Sequence, residues 1–195
     1  MTLKELIQKE IEAIQNIPID EQAYDDAMML IYRRIHQSGN KVITSGVGKA
    51  GQIAHTIATT LCSTGTPAVF LHPLEAQHGD LGVVVNGDVW ILLSNSGETR
   101  ELIELVQLIG KKAQADYIIA IVGKPETTLA GMADICLFTG QPKEICPLGL
   151  TPTTSTTVMS IIGDLLVVNL MEMINFTKRE YNLRHHSGYL GKASK

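Results

Sequence analysis

Lys41 to Gly51 reads KVITSGVGKAG: an apolar run, then a glycine turn, then the start of a helical pattern that continues from Ala50 to Ser63. A strand entering a helix through so tight a turn is the first half of a βα unit. Four more apolar runs follow: Ala68 to Leu71 (AVFL), Val89 to Leu93 (VWILL), Tyr117 to Val122 (YIIAIV) and Ile135 to Phe138 (ICLF). All are continuously apolar rather than alternating, the pattern of strands covered on both faces. Helical stretches separate them, clearest over Glu98 to Lys112, with a shorter turn over Thr127 to Met132 before the last run. The alternation predicts an α/β fold whose strands form one parallel sheet with right-handed crossovers.

Upstream, Leu3, Leu6, Ile7, Ile11 and Ile14 fall on one helical stripe, and Pro18 interrupts it. Asp20 can cap a second helix reaching about Gln37, with Ala27, Leu30, Ile31 and Ile35 inward, and Gly39-Asn40 stops it. Residues 1–38 therefore read as a helical preface, and 39–175 as the sheet domain with a long helix from Pro152 to Asn175. Residues 176–195 read as a polar, glycine-containing tail. The 195 residues together suit one domain.

Apolar residues make up 45% of the chain and charged residues 18%, which suits a compact core and not a disordered segment. The net charge is -4, and only Lys111-Lys112 and Lys178-Arg179 place basic residues side by side, so no nucleic-acid partner is expected. Met1 to Leu6 has no basic segment followed by an apolar run, so no signal peptide is expected. The most apolar stretch, Val158 to Ile174, spans about 25 Å as a helix. It carries Asp164, Asn169 and Glu172, so it is expected to be a buried or interface helix and not a membrane span. Cys62, Cys136 and Cys146 share no metal-ligand spacing, and a reduced, cytoplasmic protein is the simplest account of them.

Ligands of an open parallel sheet bind beyond the carboxyl ends of its strands. Ser45-Gly46-Val47-Gly48-Lys49-Ala50-Gly51 matches the dinucleotide fingerprint G-x-G-x-x-G after a strand and before a helix. That fingerprint needs an acid at the end of the next strand, where this chain has Leu71-His72-Pro73 and no acid until Glu75. A P-loop is excluded by Ile43 in place of glycine and by Ala50 after Lys49. Close packing by the glycines is the plain reading of this turn; Lys49 in so crowded a place favours an anionic ligand. Ser94-Asn95-Ser96-Gly97-Glu98-Thr99 lies where a strand gives way to a helix, so free backbone N–H groups gather there. Capping would need only one hydroxyl; three hydroxyls, an amide and a glycine suit a phosphate held by neutral donors. A phosphate without arginine or metal suggests a sugar phosphate. The other loops supply His72, Glu75, His78 and Asp80, then Glu101, Lys143 and Glu144, the hydroxyl-rich run Thr151 to Thr157, and His185-His186. None shows paired metal ligands on one helix face, so neither a metal nor a cofactor is expected. His36 and His55 fall on helices away from these loops and read as surface or packing residues.

Gly46 to Gly51, His78-Gly79-Asp80-Leu81-Gly82, Ser94 to Glu98, and Cys146-Pro147-Leu148-Gly149-Leu150-Thr151-Pro152-Thr153 resemble the sugar isomerase (SIS) domain of arabinose 5-phosphate isomerases, over about residues 20 to 192. The phosphate loop marks SIS domains in general. His78-Gly79-Asp80 together with Cys-Pro-Leu-Gly marks this branch. The resemblance implies a five-stranded parallel sheet in a flavodoxin-like three-layer sandwich. It also implies a homotetramer with active sites at subunit contacts, to which the 176–195 tail contributes. The implied reaction interconverts D-ribulose 5-phosphate and D-arabinose 5-phosphate, feeding Kdo for lipopolysaccharide or capsule. The implied catalytic residues are Lys49, Glu101, Glu144, His185 and His78. The implied substrate-binding residues are Ser45, Gly46, Gly48, Ser94, Asn95, Ser96, Gly97, Thr99, His72 and Thr153. Many relatives carry paired CBS domains after the SIS domain and this sequence shows none, so CBS-based regulation is not expected. The family's His-Pro-Gly-Gly segment reads His185-His186-Ser187-Gly188 here, and His185 is preferred because it keeps register with Leu190-Gly191-Lys192.

An aldose–ketose interconversion moves a proton between neighbouring carbons through an enediolate, so it needs a carbon base, a proton shuttle and oxyanion stabilisation. Glu101 is the first choice for the carbon base, with Glu144 the alternative. Lys49 can polarise the carbonyl, and the histidines can open a ring or shuttle protons. Two other readings stand beside this one: a SIS isomerase of hexulose or heptose phosphates, and a non-catalytic sugar-phosphate sensor. The sensor reading lacks the basic DNA-binding helices that would accompany it.

Overall fold

The computed structural model describes residues 1–112 and 117–194, apart from the side chains of 111 and 112. Thr2 opens α1 (Leu3–Gln15) with a reciprocal cap: its hydroxyl accepts from the Glu5 N–H while its own N–H donates to the Glu5 carboxylate. Asp20 caps α2 (Glu21–Ile31) as its position suggests, accepting from the N–H groups of Gln22 and Ala23. The helix then widens into π turns over Tyr32–Gln37. In that segment Arg34 donates to Gly87 O and lies 4.9 Å from the Tyr117 ring centroid.

All five apolar runs are strands: β1 (Val42–Gly46), β2 (Ala68–Phe70), β3 (Val89–Ser94), β4 (Tyr117–Val122) and β5 (Ile135–Phe138). They form one sheet of order β2-β1-β3-β4-β5 with every pair parallel. Between and after them run α3 (Gly48–Ser63), α4 (Pro73–Gln77), α5 (Arg100–Lys112), α6 (Thr128–Met132) and α7 (Thr154–Met173). Side chains of a strand alternate between faces, and here both faces are covered. Val89, Ile91, Leu93, Ile119 and Ile121 join α2, α3 and α7 in one core, while Ile43, Trp90, Leu92, Ala120 and Val122 join α4, α5 and α6 in the other. This double cover is why the strands read as unbroken apolar runs.

Three expectations need correction. The segment after β2 is not an open loop, because His72 accepts from the Leu74 N–H to start α4 and a 3-10 turn follows over Asp80–Val83. The tail is not irregular: Thr177 makes a second reciprocal cap for α8 (Lys178–Arg184), and α9 (Gly188–Ala193) folds back on it through Asn182 bonds to Gly191 O and Ser194 Oγ. The long helix has 20 residues and is long and apolar enough to cross a bilayer. Its length therefore does not mark it as a core helix; its burial does, with Val158, Met159, Ile162, Leu166 and Leu170 wholly inside.

The helical preface is only partly covered. α1 lies against α7, and Glu10 accepts from the Thr154 hydroxyl at 2.8 Å, but Leu3, Ile7 and Ile11 remain 80%, 59% and 41% exposed.

Candidate active site

The sheet order sets the position of the site. β1 has β2 on one side and β3 on the other, so the connections that leave β1 and β3 part in opposite directions and a crevice opens beyond their carboxyl ends. A cleft of about 670 Å³ occupies that place. Val47 and Lys49 line it after β1, Ser94, Asn95, Ser96 and Thr99 after β3, and Gln141 to Glu144 together with Ser155 and Thr156 after β5.

The glycine turn holds Lys49 at the lip. Gly48 has φ +60°, a left-handed conformation that glycine adopts freely, and Lys49 follows it exposed on the first turn of α3. Gly46 and Gly51 serve the packing that the plain reading expected, since their backbones touch and a Cβ on Gly51 would stand 2.6 Å from Gly46 O.

The loop after β3 is held by bonds among its own residues. Thr99 precedes α5, yet its hydroxyl turns back to Ser94 Oγ at 2.7 Å instead of capping the helix. Ser94 Oγ also accepts from the Gly97 N–H, and Ser96 Oγ accepts from the Glu98 N–H. At the start of α5 the N–H groups of Leu102 and Ile103 both donate to Thr99 O. Gly97 is left-handed, and any Cβ there would collide with the Thr127 side chain. Glu98 bonds the N–H and hydroxyl of Thr128, pinning the loop to α6.

Glu144 enters from the third side. One oxygen accepts from the Thr153 N–H and hydroxyl and the Ser155 N–H, and the other from the Ser155 hydroxyl. Burial pushes its pKa up, but the Ser155 hydroxyl and the three other donors outweigh this and hold it below the usual carboxylate range. A carboxylate at the start of α7 also suits the helix dipole. Because the folded pKa is depressed, the stabilisation is complete above the unfolded value of about 4.3 and fades as pH falls through the lower folded value. The thermal midpoint of the native chain should therefore exceed that of Glu144→Gln at pH 7, and the margin should shrink as pH falls below about 4.3. A margin that acid did not shrink would show that shape, and not charge, sets the effect.

A SIS domain model matches residues 34–169, spanning the whole sheet and most of α7. The chain belongs to the SIS domain family. A Bacteroides fragilis NCTC 9343 protein, a candidate phosphosugar isomerase of capsule formation, superposes with TM-score 0.94 at 55% identity over 96% of this chain and 97% of that one. An Escherichia coli CFT073 protein solved in complex with arabinose 5-phosphate gives TM-score 0.85 at 34% identity, covering 94% and 95%. The curated arabinose 5-phosphate isomerases KdsD of Yersinia pestis and Escherichia coli K12 are 40% and 41% identical over 97% and 94% of this chain. The chain spans 56% of the length of each.

Within this SIS domain the cleft gathers Lys49, Glu144, Ser94, Asn95, Ser96 and Thr99. Thr153 stands behind Glu144, and Gly97 shapes the loop. Glu101 sits half-buried in the first turn of α5, just past the lining residues. Ser45 is wholly buried and gives its hydroxyl to Leu71 O, so it does not face the cleft. Gly46, Gly48 and His72 border a second cavity of about 470 Å³ beside the first, and His55 shares it. His36 is half-buried and hydrogen-bonded to Thr66. His78 is exposed at the end of α4.

His185 ends α8, donates from Nδ1 to Tyr181 O and stacks on the Tyr181 ring at 3.8 Å, outside this chain's own cleft. Among the described residues no three His, Cys, Asp or Glu side chains are grouped to hold a metal ion. Sequence reasoning did not assign Gln141, Ser155 or Thr156 to the site. The hydroxyl-rich run was the available signal for the last two; Gln141, a non-glycine residue at φ +51°, offered none. Cys146, beside the cleft loop, accepts from the N–H groups of Leu150 and Thr151, and chiefly the Thr151 bond lowers its thiol pKa to about 7.

Proposed function

We propose that this SIS domain interconverts D-ribulose 5-phosphate and D-arabinose 5-phosphate through an enediolate, in the cytoplasm, supplying Kdo for lipopolysaccharide or capsule. The observation that carries the reading is the cleft's lining: the hydroxyls of Ser94, Ser96 and Thr99 with the Asn95 amide after β3, and the Lys49 ammonium after β1. Likeness to KdsD enzymes and to a protein bound to arabinose 5-phosphate supports it.

The phosphate rests on Ser94 to Thr99, which directs the carbonyl end of the sugar toward Lys49. The ammonium polarises the carbonyl oxygen and then holds the enediolate. Glu144 has its oxygens engaged by four donors and its pKa held down, which makes it a weak base and a firm anchor for the loop. No hydrogen-bond donor engages the Glu101 carboxylate among the described residues, and Glu101 takes the carbon-bound proton and returns it to the neighbouring carbon. Following D-ribulose 5-phosphate by NMR tests the reading: growth of arabinose 5-phosphate signals supports it, and turnover only of hexulose or heptose phosphates would replace it.

Ser94→Ala combined with Ser96→Ala should raise KM by about a hundredfold or more, since each hydrogen bond to a charged group contributes roughly 1.5–3 kcal/mol. An unchanged KM would reduce these hydroxyls to loop-internal bonds.

The proposed assembly is a homotetramer in which the tail of one subunit completes the site of its neighbour. That His185 does not line its own chain's cleft and stacks on Tyr181 instead supports this arrangement. Mixing His185→Ala chains with Glu101→Gln chains should restore activity as subunits exchange. Demonstrated exchange without recovery would place both residues in the same chain's site.

A further inference from the structure

Asn95 is the only amide among the six residues Ser94 to Thr99, and which end of that amide faces the cleft decides whether it attracts or repels an anion. Its Oδ1 accepts from the hydroxyl of Thr139, 44 residues away, at 2.9 Å. Thr139 is 2% exposed and fixed just beyond β5, where its N–H donates to Val122 O at 2.8 Å. The Asn95 backbone is held as firmly: its carbonyl accepts from the Gly123 N–H, and Gly123 has no room for a Cβ between that carbonyl and Gln141. The ends of β3, β4 and β5 thus meet at one residue.

With Oδ1 turned inward to Thr139, Nδ2 is left for the cleft that Asn95 lines. Turning the amide by half a rotation would give Thr139 the NH₂ group and present an oxygen to the ligand, which an anion opposes.

We propose that Thr139 is a positioning residue that holds the Asn95 amide at the cleft wall, with Oδ1 on the Thr139 hydroxyl, so that Asn95 presents its NH₂ group as a donor to the phosphate of the sugar phosphate. This rests on the cleft being a sugar-phosphate site. Thr139 touches no substrate and acts through Asn95 alone. A donor locked in place before binding needs no reorganisation when the anion arrives.

The test compares the native chain with Thr139→Val, Thr139→Ser, Asn95→Ala and the Asn95→Ala/Thr139→Val pair. Kd for inorganic phosphate and for arabinose 5-phosphate is measured by calorimetry, with kcat and KM on ribulose 5-phosphate. Thr139→Val should raise Kd and KM about tenfold. It should leave kcat within about twofold, as expected when a binding interaction common to ground and transition state is lost. Thr139→Ser should restore both constants, and in the Asn95→Ala background Thr139→Val should add nothing.

A Thr139→Val chain with native Kd overturns the proposal, as does an equal loss with and without Asn95. Should Thr139→Val fail to fold, Asn95→Asp decides: it keeps an acceptor for Thr139 but replaces the donor with an anion, so phosphate binding should be lost, and retained binding refutes the assignment. A native chain that binds arabinose 5-phosphate without isomerising ribulose 5-phosphate defeats the isomerase reading while the Kd comparison still judges Thr139. A native chain that binds neither phosphate overturns both.

Discussion

Glu101→Gln is expected to lower kcat by about a thousandfold, the middle of the range for losing a general base. The thermal midpoint and the Kd for phosphate should stay near native. Exchange of the carbon-bound substrate proton with solvent should stop as well, because the amide replaces the only group assigned to take it. The contrast with Glu144 gives the prediction its edge. Glu144 is tied by Thr153 and Ser155 to the start of α7, and a carboxylate so fully engaged surrenders those bonds before it accepts a proton. Its substitution should therefore cost loop order and stability as well as rate. A Glu101→Gln enzyme with near-native kcat would pass the role of base to Glu144.

Gly51→Ala should be among the damaging single-methyl changes, costing about 3 kcal/mol, the upper end for overpacking. The new Cβ would sit 2.6 Å from Gly46 O and 2.9 Å from Gly46 C, and both atoms are backbone at the end of β1. No side chain stands in the way to swing aside, so either α3 retreats or β1 bends. Both movements carry Lys49 away from the phosphate loop, and activity should fall with stability. Gly48→Ala is the control: its Cβ meets nothing within 4 Å. Its cost should be only the left-handed backbone penalty, about 1–2 kcal/mol. Urea unfolding of the two variants decides the matter, since equal losses would mean that the Gly46–Gly51 contact is not what the glycine protects.

The sheet was legible because its strands are buried on both faces, so that Val89 to Leu93 or Tyr117 to Val122 leaves no alternative to an interior strand. The crevice was legible too, because strand ends in a parallel sheet dictate which loops meet. Of the helices shorter than two turns, only α6 was legible, as the turn over Thr127 to Met132; α4, α8 and α9 were not. α4 depends on a histidine as its cap and on Pro73 at its first position, while α8 and α9 hold together through Asn182, a contact between residues that periodicity does not connect. Within the site, the hydroxyls of Ser94 to Thr99 were visible as chemistry, but their mutual bonding was not. Nor did any pattern join Asn95 to Thr139, because side-chain pairs between loops leave no periodic trace. Ser45 shows the opposite failure: the motif placed it beside the ligand, while the strand's alternation turned its hydroxyl into the core.

The uncovered stripe of α1 has a consequence for how the chain is made. α1 is synthesised early and packs on α7, and the bond from Thr154 to Glu10 joins residues 144 positions apart. At roughly 5–20 residues per second, the ribosome leaves α1 waiting about 7–29 s for the start of that partner. Through that interval α1 lacks its α7 partner, and Leu6 and Ile14 form an apolar ridge with Leu3, Ile7 and Ile11. The order of synthesis thus leaves this ridge open until α7 exists, and even in the folded chain Leu3, Ile7 and Ile11 stay exposed.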